Sequence, residues 1–129
     1  MLGSTEPDAS MPGEIVPGDD FYSYDDKYVT DGAQLLVPAP LPDDAVEQVR
    51  QLAVHAFRAL RCDGLARVDF LYEMDDRGHG RGFLCNEVNT MPGFTPISMF
   101  PKCWIASGLS YADLISELVD TALERVVRA

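Results

Sequence analysis

Glu87 and Asn89 are two oxygen-bearing side chains that stand two residues apart on a segment predicted to be a β-strand. Because side chains alternate between the faces of a strand, both point to the same face. Asp69 lies on the preceding predicted strand and can present a third oxygen to the same place. Two carboxylates and an amide oxygen suit a hard cation such as Mg²⁺ and leave positions for phosphate oxygens and water. The same side chains are also common on exposed hairpin faces that bind no metal.

The segment that follows Asn89 is a loop punctuated by proline and glycine, predicted over residues 90–108. A loop of this composition can point backbone N–H groups into the cleft beside the oxygen donors. This context favours the metal site over a merely solvated hairpin face.

An antiparallel hairpin is predicted to hold the three donors. Its two short apolar runs cover residues 65–73 and 82–89, and the stretch MDDRGHGR between them is rich in glycine and aspartate. That composition is suited to reversing the chain.

Two amphipathic helices are predicted on either side of this hairpin. The first covers residues 44–61, with Asp43 or Asp44 able to cap its start and Gly64 just beyond its end. The second opens with a capping box from Ser110 to Asp113. Apolar residues recur at helical spacing in the first helix at Val46, Val49, Leu52, Ala53, Ala56, Phe57 and Leu60, and in the second at Leu114, Ile115, Leu118, Val119, Ala122, Leu123 and Val126.

The N-terminal third has a different composition from the rest. Residues 1–20 hold three prolines and three glycines, which is typical of an irregular lead-in, and residues 21–41 mix four aromatics with charges before the run VPAPLP. We interpret residues 21–41 as a long surface loop that enters an extended segment.

Composition bounds the function. The chain has 129 residues, 47% of them hydrophobic, and a formal net charge of -11, so it can bury one core but lacks a basic patch for nucleic acid. Three widely spaced cysteines favour reduced thiols over a zinc site, and no apolar run or leader predicts a membrane span or export. We therefore expect a cytoplasmic protein. His55 and His79 have no partners at useful spacing, and Phe100 and Trp104 are expected to pack the loop before the last helix.

The run NEVNTMPGFTPISMFP, together with ARVDF and FYSYDDKY upstream, resembles the C-terminal half of bacterial D-alanine–D-alanine ligases of the ATP-grasp superfamily. The resemblance extends over residues 2–125. A Glu-x-Asn pair alone indicates only a generic ATP-grasp enzyme, whereas NTMPGFT and the Tyr-x-x-Lys-Tyr loop are much more specific. The fold implied is α+β, an ATP-grasp C-terminal subdomain whose antiparallel sheet is flanked by two main helices. A single partial domain over residues 1–129 follows, with the metal-binding hairpin and helices in residues 42–129.

The resemblance implies a reaction and its cofactors. ATP phosphorylates one D-alanine carboxylate, and the amine of a second D-alanine attacks the acyl phosphate, giving a dipeptide for peptidoglycan synthesis. Asp69, Glu87 and Asn89 match the ligands of two Mg²⁺ (or Mn²⁺) ions, with Glu87 as the bridge. Asn86 and Glu87 match ATP-binding positions. Arg67 matches the arginine that steadies the phosphoryl group and the oxyanion; from the residues alone, it would pair with a neighbouring carboxylate.

Substrate-binding residues are also implied. Gly93 matches the glycine whose N–H completes the oxyanion hole, although from the residues alone it is a plain turn glycine. Ser98 and the N–H of Met99 match the pair that binds the carboxylate of the second D-alanine. The loop of residues 21–28 matches a mobile loop that closes over the site, in which Lys27 meets the γ-phosphate and Tyr28 links the loop to the substrate pocket by hydrogen bonds. Tyr22 matches a substrate-binding position, although the four aromatics of this loop could equally form a hydrophobic patch that docks it. Ligases that prefer D-lactate lack a tyrosine at the position of Tyr28, so its presence argues for the dipeptide.

The family pattern has elements that lie upstream of Met1: the N-terminal domain, the phosphate-binding lysines, the glycine-rich loop and the adenine-binding hinge. We therefore expect residues 1–129 alone to be inactive, to expose an apolar surface, and to belong to a protein that forms a homodimer at full length. Two alternatives stay open. The chain is a non-catalytic remnant that binds a partner, or it belongs to another ATP-grasp ligase joining a different carboxylate and amine.

Overall fold

The computed structural model describes residues 1–17, 34–75 and 77–128 of the chain. Helices and short antiparallel strands are mixed along it, which confirms the predicted α+β class. The elements are, in chain order, β1 (Leu2–Gly3), β2 (Glu14–Val16), β3 (Gln34–Leu36), α1 (Asp43–Ala59), β4 (Gly64–Leu65), β5 (Arg67–Glu73), β6 (Gly82–Asn89), α2 (Met99–Ala106) and α3 (Tyr111–Arg128).

The described part of the lead-in is more regular than the sequence predicted. Strand β1 pairs with β4, strand β2 pairs with β3, and both pairs are antiparallel. Met1 and Leu2 are buried in the two core clusters. Most of the described lead-in is irregular, and its two short strands are held by partners distant in sequence, of which local composition carries no signal.

Helix α1 confirms the first amphipathic pattern. Val49 and Phe57 are buried, and Phe57 packs against Val68 and Val88 of the hairpin. Leu60 lies past the helix and is 63% exposed. The expected side-chain cap is absent from the described contacts: Pro42 is the N-cap residue, and Asp43 and Asp44 stand in the first turn. Their carboxylates there complement the positive end of the helix dipole.

The C-terminus of α1 closes with a residue other than the expected glycine. Arg61 adopts a positive φ of 53°, and its N–H donates to the Arg58 carbonyl at 3.0 Å. The Cys62 N–H donates to the Phe57 carbonyl at 3.0 Å. These two bonds form a Schellman motif with arginine at the position where glycine is usual. Gly64, with φ of 85°, instead lies in β4.

Strands β5 and β6 form the predicted antiparallel hairpin. Asp69 is the cross-strand partner of Glu87, but the register then shifts, so that Phe70 pairs with Cys85 and Asn86 is left as a bulge. Beyond the bulge the pairing continues to Glu73 and Gly82. A bulge resets the alternation of side chains along one strand, so it decides which residues share a face.

Helix α2 lies within residues 90–108, where a loop was predicted. Phe100 and Trp104 are buried beside Leu2 and Leu114, which confirms that they pack the region before the last helix. Pro101 stands in the first turn of α2, where the missing N–H costs nothing. The sequence pattern indicated a loop because prolines and glycines surround this helix.

Helix α3 begins with the predicted capping box. Ser110 Oγ accepts the Asp113 N–H at 3.1 Å and donates to Asp113 Oδ2 at 2.5 Å. The predicted buried stripe was wrong beyond the first turns: Leu114 is fully buried, but exposure reaches 52% at Val119 and 60% at Leu123. Helix α3 packs on α2, β1 and β4, and its buried contacts with the core cluster come from Leu114 and Leu118. No helix among the described residues is long and apolar enough to cross a membrane.

Candidate functional site

The β5–β6 hairpin has one apolar face and one polar face. Val68 and Val88 are cross-strand partners that pack against the core cluster around Phe57. Alternation then turns the neighbouring pairs to the opposite face. These pairs are Arg67 with Asn89 and Asp69 with Glu87. The packing of two valines thus brings together the four side chains that the sequence singled out.

Arg67 joins the two carboxylates on this face. Its Nε lies 2.8 Å from Asp69 Oδ1 and 3.1 Å from Oδ2, and its Nη2 lies 2.9 Å from Asp69 Oδ2. The same Nη2 donates to Glu87 Oε1 at 3.1 Å. One planar guanidinium therefore forks across Asp69 and reaches the facing strand, which is the geometry that arginine favours with carboxylates.

The side chains of this group are only partly withdrawn from solvent. Arg67 and Asp69 are each 32% exposed, and Glu87 is 51% exposed. The hydrogen bond to Asp69 raises the pKa of Arg67 above its ordinary value, and the charges of Asp69 and Glu87 add to this against the opposing effect of burial. The guanidinium is therefore a fixed positive charge at any physiological pH.

The donor set fits a divalent cation of the hard class. Within the described ranges no group of three or more His, Cys, Asp and Glu side chains could hold a metal ion, and Asn89, the cross-strand partner of Arg67, adds an amide oxygen on the same strand face. Asp69 and Glu87 already converge on one cation, the Arg67 guanidinium. Asn89 Oδ1 accepts the Met91 N–H at 2.9 Å and keeps a second lone pair. Carboxylate and amide oxygens are the donors that Mg²⁺ prefers.

Asn86 occupies the bulge beside Glu87. It is exposed and has no cross-strand partner in the register of the hairpin. Bulges of this kind re-aim side chains and are common next to active sites. The sequence named Asn86 as an ATP-binding position without indicating that the strand is irregular there.

A second group of predicted residues meets in the loop between β6 and α2. A Cβ atom added to Gly93 would lie 2.9 Å from Ser98 Oγ, so the two positions are in close contact. Ser98 Oγ accepts the Thr95 N–H at 3.1 Å and lies 2.8 Å from Thr95 Oγ1. A glycine is needed at position 93 because any side chain would displace this hydroxyl.

Two residues that hold this loop in place were missed from the sequence. Thr95 holds the Ser98 hydroxyl with both its N–H and its own hydroxyl, and Tyr111 Oη donates to the Phe94 carbonyl at 2.7 Å. The Phe94 ring also packs on Tyr111, with centroids 5.4 Å apart. Helix α3 thereby fixes the loop that carries Gly93. No local pattern marks either residue, because each acts through a contact made only on folding.

Helix α2 connects the two groups. Met99 is its first residue, so its N–H belongs to the turn whose donors have no acceptor inside the helix. One turn later, burial raises the pKa of the Cys103 thiol, which also lies within electrostatic range of Asp69 and Arg67. Cys103 belongs to the second half of α2, and the charges of the hairpin residues Asp69 and Arg67 act on this thiol.

Several predicted residues play no part that the structure can show. Lys27, Tyr28 and Tyr22 lie outside the described residues. His79 is 78% exposed in the hairpin turn, where its N–H donates to Asp75 Oδ1 at 2.7 Å, and His55 is exposed on α1. Neither histidine hydrogen-bonds to Arg67, Asp69, Glu87 or Asn89 among the described contacts. The three cysteines are free thiols.

Solved structures that share this fold define the class of protein. The D-alanine-D-alanine ligase of Coxiella burnetii matches with a TM-score of 0.76 and 38% identity, over 96% of this chain and 30% of the ligase. The VanG D-Ala:D-Ser ligase of Enterococcus faecalis matches with a TM-score of 0.77 and 32% identity, over 93% of this chain and 34% of that chain. The fold is therefore that of an ATP-grasp ligase C-terminal domain, as predicted.

The family follows from the sequence matches. A family model described as the D-ala D-ala ligase C-terminus matches residues 1–120. The D-alanine--D-alanine ligases of Thermoanaerobacter sp. and Chlorobaculum tepidum are 54% and 50% identical over 125 residues each, which is 96% and 97% of this chain. The chain belongs to the D-alanine–D-alanine ligase family, and it spans about a third of the length of these relatives.

Proposed function

We propose that this chain supplies the cation-binding and second-substrate part of a D-alanine–D-alanine ligase. The whole protein would join two D-alanines at the expense of ATP through an acyl phosphate. The observation that carries the proposal is that the carboxylates of Asp69 and Glu87 both contact the Arg67 guanidinium. They lie on a hairpin face that also presents Asn89. Family membership indicates the reaction in which this arrangement of side chains would take part.

Asp69, Glu87 and Asn89 would hold the divalent cations, two Mg²⁺ or Mn²⁺ ions, and Asn86 would flank the nucleotide at the bulge. The ions, when bound, supply positive charge against the β- and γ-phosphates of ATP. One related ligase, that of Bacillus anthracis, has been solved in complex with ATP; it matches this chain with a TM-score of 0.63 and 29% identity, over 74% of this chain and 31% of that chain. Arg67 provides a permanent positive charge beside the same carboxylates, suited to a phosphoryl group or an oxyanion.

The Gly93–Ser98 loop would bind the second D-alanine. Thr95 N–H donates to Ser98 Oγ, and if Thr95 Oγ1 donates as well, the Ser98 hydroxyl proton is left to point at a substrate carboxylate. The Met99 N–H, at the start of α2, would be the second donor to that carboxylate. The N–H of Gly93 would face the oxyanion, because the absence of a side chain lets substrate approach the backbone.

Lys27, Tyr28 and Tyr22 complete the proposal as a loop that closes over the bound nucleotide and substrates. Lys27 would meet the γ-phosphate, and Tyr28 would favour an amine over D-lactate as the second substrate. The three free thiols fit a reducing compartment, so we place the reaction in the cytoplasm, in a homodimeric full-length enzyme. The intact charged set from Arg67 to Asn89 favours a working enzyme over a non-catalytic remnant.

A chimera tests the proposed activity. Residues 1–125 would replace the matching C-terminal third of the Thermoanaerobacter ligase, whose own upstream two-thirds supply the rest of the site. We expect ATP-dependent formation of D-alanyl-D-alanine, measured by chromatography of the product and by release of ADP. D-Serine and D-lactate, offered with D-alanine, would identify a different second substrate.

The same ligase with its own C-terminal third is the control for the upstream part. A chimera that unfolds cooperatively and binds ATP, yet releases no ADP with any of these substrates, would contradict the proposed function. ADP release with another carboxylate and amine, but not with two D-alanines, would favour a different ligase of the same superfamily.

A further inference from the structure

We infer that Arg67 is a built-in counter-cation that must leave the Asp69–Glu87 pair before a divalent cation can bind there. The inference rests on the proposed cation site and adds a rule for how that site is filled. Arg67 would thus neutralise part of the charge of the two carboxylates until a divalent cation binds them, and would then be released.

The contacts of Arg67 place it in competition with a divalent cation for the same carboxylate oxygens. Its Nε and Nη2 donate to both oxygens of Asp69, at 2.8 to 3.1 Å, and Nη2 also donates to Glu87 Oε1 at 3.1 Å. A divalent cation needs these oxygens at about 2.1 Å. It would also stand next to a guanidinium of the same sign, so the two are expected to exclude each other.

The charge of the pair explains why the exchange can proceed. Asp69 and Glu87 carry two negative charges and Arg67 carries one positive charge, so the three side chains together have a net charge of -1. A divalent cation neutralises the two carboxylates completely. The group is also reachable from solvent, since Glu87 is 51% and Arg67 32% exposed, so the guanidinium can swing out without unpacking the core.

The exchange gives Arg67 two successive partners. Freed from Asp69, the guanidinium keeps its charge and its five donors and lies on the same strand face as the loaded cation site. It would then be available to the phosphoryl group of the proposed reaction. Cation binding would therefore switch Arg67 from a structural contact to a substrate contact.

Metal binding to residues 1–129 tests the exchange without any catalytic readout. Free Mn²⁺ would be followed by its aqueous electron paramagnetic resonance signal in the parent chain, in Arg67→Gln and in Arg67→Lys. We expect both substitutions to tighten Mn²⁺ binding by about tenfold, because neither side chain can fork across Asp69 and reach Glu87. Arg67→Lys separates exchange from simple repulsion, since lysine keeps the positive charge.

Arg81→Gln is the matched control, because Arg81 pairs with Glu73 on the same hairpin away from the proposed site. It should leave Mn²⁺ affinity unchanged. A second readout is the Nε–H resonance of Arg67 in ¹⁵N spectra, which should move on titration with diamagnetic Mg²⁺ while that of Arg81 stays in place. Circular dichroism would show that each variant is folded.

Each result decides the matter. Tighter binding in both Arg67 variants, abolished when Asp69→Asn is added, supports the exchange. Binding that depends on Asp69 but is the same in the parent and Arg67→Lys overturns the exchange and leaves the cation site standing. No Mn²⁺ binding to the parent or to any Arg67 variant overturns the cation site and the exchange with it.

Discussion

At the scale of single residues, the chemistry of this chain depends on side chains that hold one another. Arg67 sets the positions of Asp69 and Glu87, and Thr95 sets the position of the Ser98 hydroxyl. In each case a residue proposed to meet substrate or cation is already engaged by a neighbour. The Thr95 contact pre-organises the Ser98 hydroxyl, because less reorganisation is needed when the substrate arrives, whereas the Arg67 contact has to be exchanged.

Thr95 offers a test of this pre-organisation. Thr95→Val keeps the shape of the side chain but removes the hydroxyl that lies 2.8 Å from Ser98 Oγ. In the active chimera we expect the KM for the second D-alanine to rise about tenfold while kcat changes little, since one hydrogen bond that orients the substrate is lost. Steady-state kinetics at saturating ATP would measure this.

Thr95→Ser is the control, because it retains the hydroxyl and should restore the parent KM. If Thr95→Val and Thr95→Ser behave alike, the hydroxyl at position 95 does not position Ser98.

At the scale of elements, the hairpin and the two long helices were predictable, since each depends on a local period of two or of about 3.6 residues. The bulge at Asn86 was not, because the register of a strand is set by its partner. Alternation counted back from Val88 would have placed Leu84 on the apolar face; the bulge puts Cys85 and Phe83 there instead. Helix α2 was missed because Pro96 and Pro101 resemble loop punctuation, although Phe100 and Trp104 fill the core.

The end of α1 yields a prediction about stability. Arg61 holds a positive φ of 53°, which costs free energy for any residue with a side chain. Arg61→Gly is expected to stabilise the chain by roughly 0.5 kcal/mol, after allowing for the greater backbone entropy of glycine in the unfolded state. Urea unfolding followed by circular dichroism would measure it.

Arg58→Gly, within the last turn of the same helix, gives the opposite sign. It should destabilise the chain by about 1 kcal/mol because glycine is a poor helix former. Equal destabilisation by both substitutions would mean that the conformation of Arg61 imposes no strain.

At the scale of the whole molecule, packing is uneven. Two small core clusters centre on Phe57 and on Leu114, whereas the C-terminal half of α3 leaves Val119, Leu123 and Val126 exposed. An open apolar cleft of about 530 Å³ runs between the start of α3 and the loop that begins at Thr90. Exposed apolar surface is therefore present on a helix, whereas the sequence analysis expected it where the sheet would continue.

Two leucines on α3 measure this contrast. Leu114→Ala removes a fully buried side chain and should cost about 3 kcal/mol of unfolding free energy, as for other buried leucines. Leu123→Ala, at a position 60% exposed, should change stability by less than about 0.5 kcal/mol. Denaturant titration of residues 1–129 compares them directly. A similar loss in both would show that α3 is covered along its whole length, for example by self-association.

We propose that the polar face of the β5–β6 hairpin carries the chemistry of a D-alanine–D-alanine ligase. The most direct measurement compares kcat in chimeras that carry Glu87→Gln or Glu73→Gln. Both substitutions remove one carboxylate from the same hairpin, but only Glu87 lies in the proposed cation site, whereas Glu73 pairs with Arg81. We predict that Glu87→Gln lowers kcat by at least about 100-fold and that Glu73→Gln leaves it within about twofold. Equal activity of the two chimeras would contradict the account.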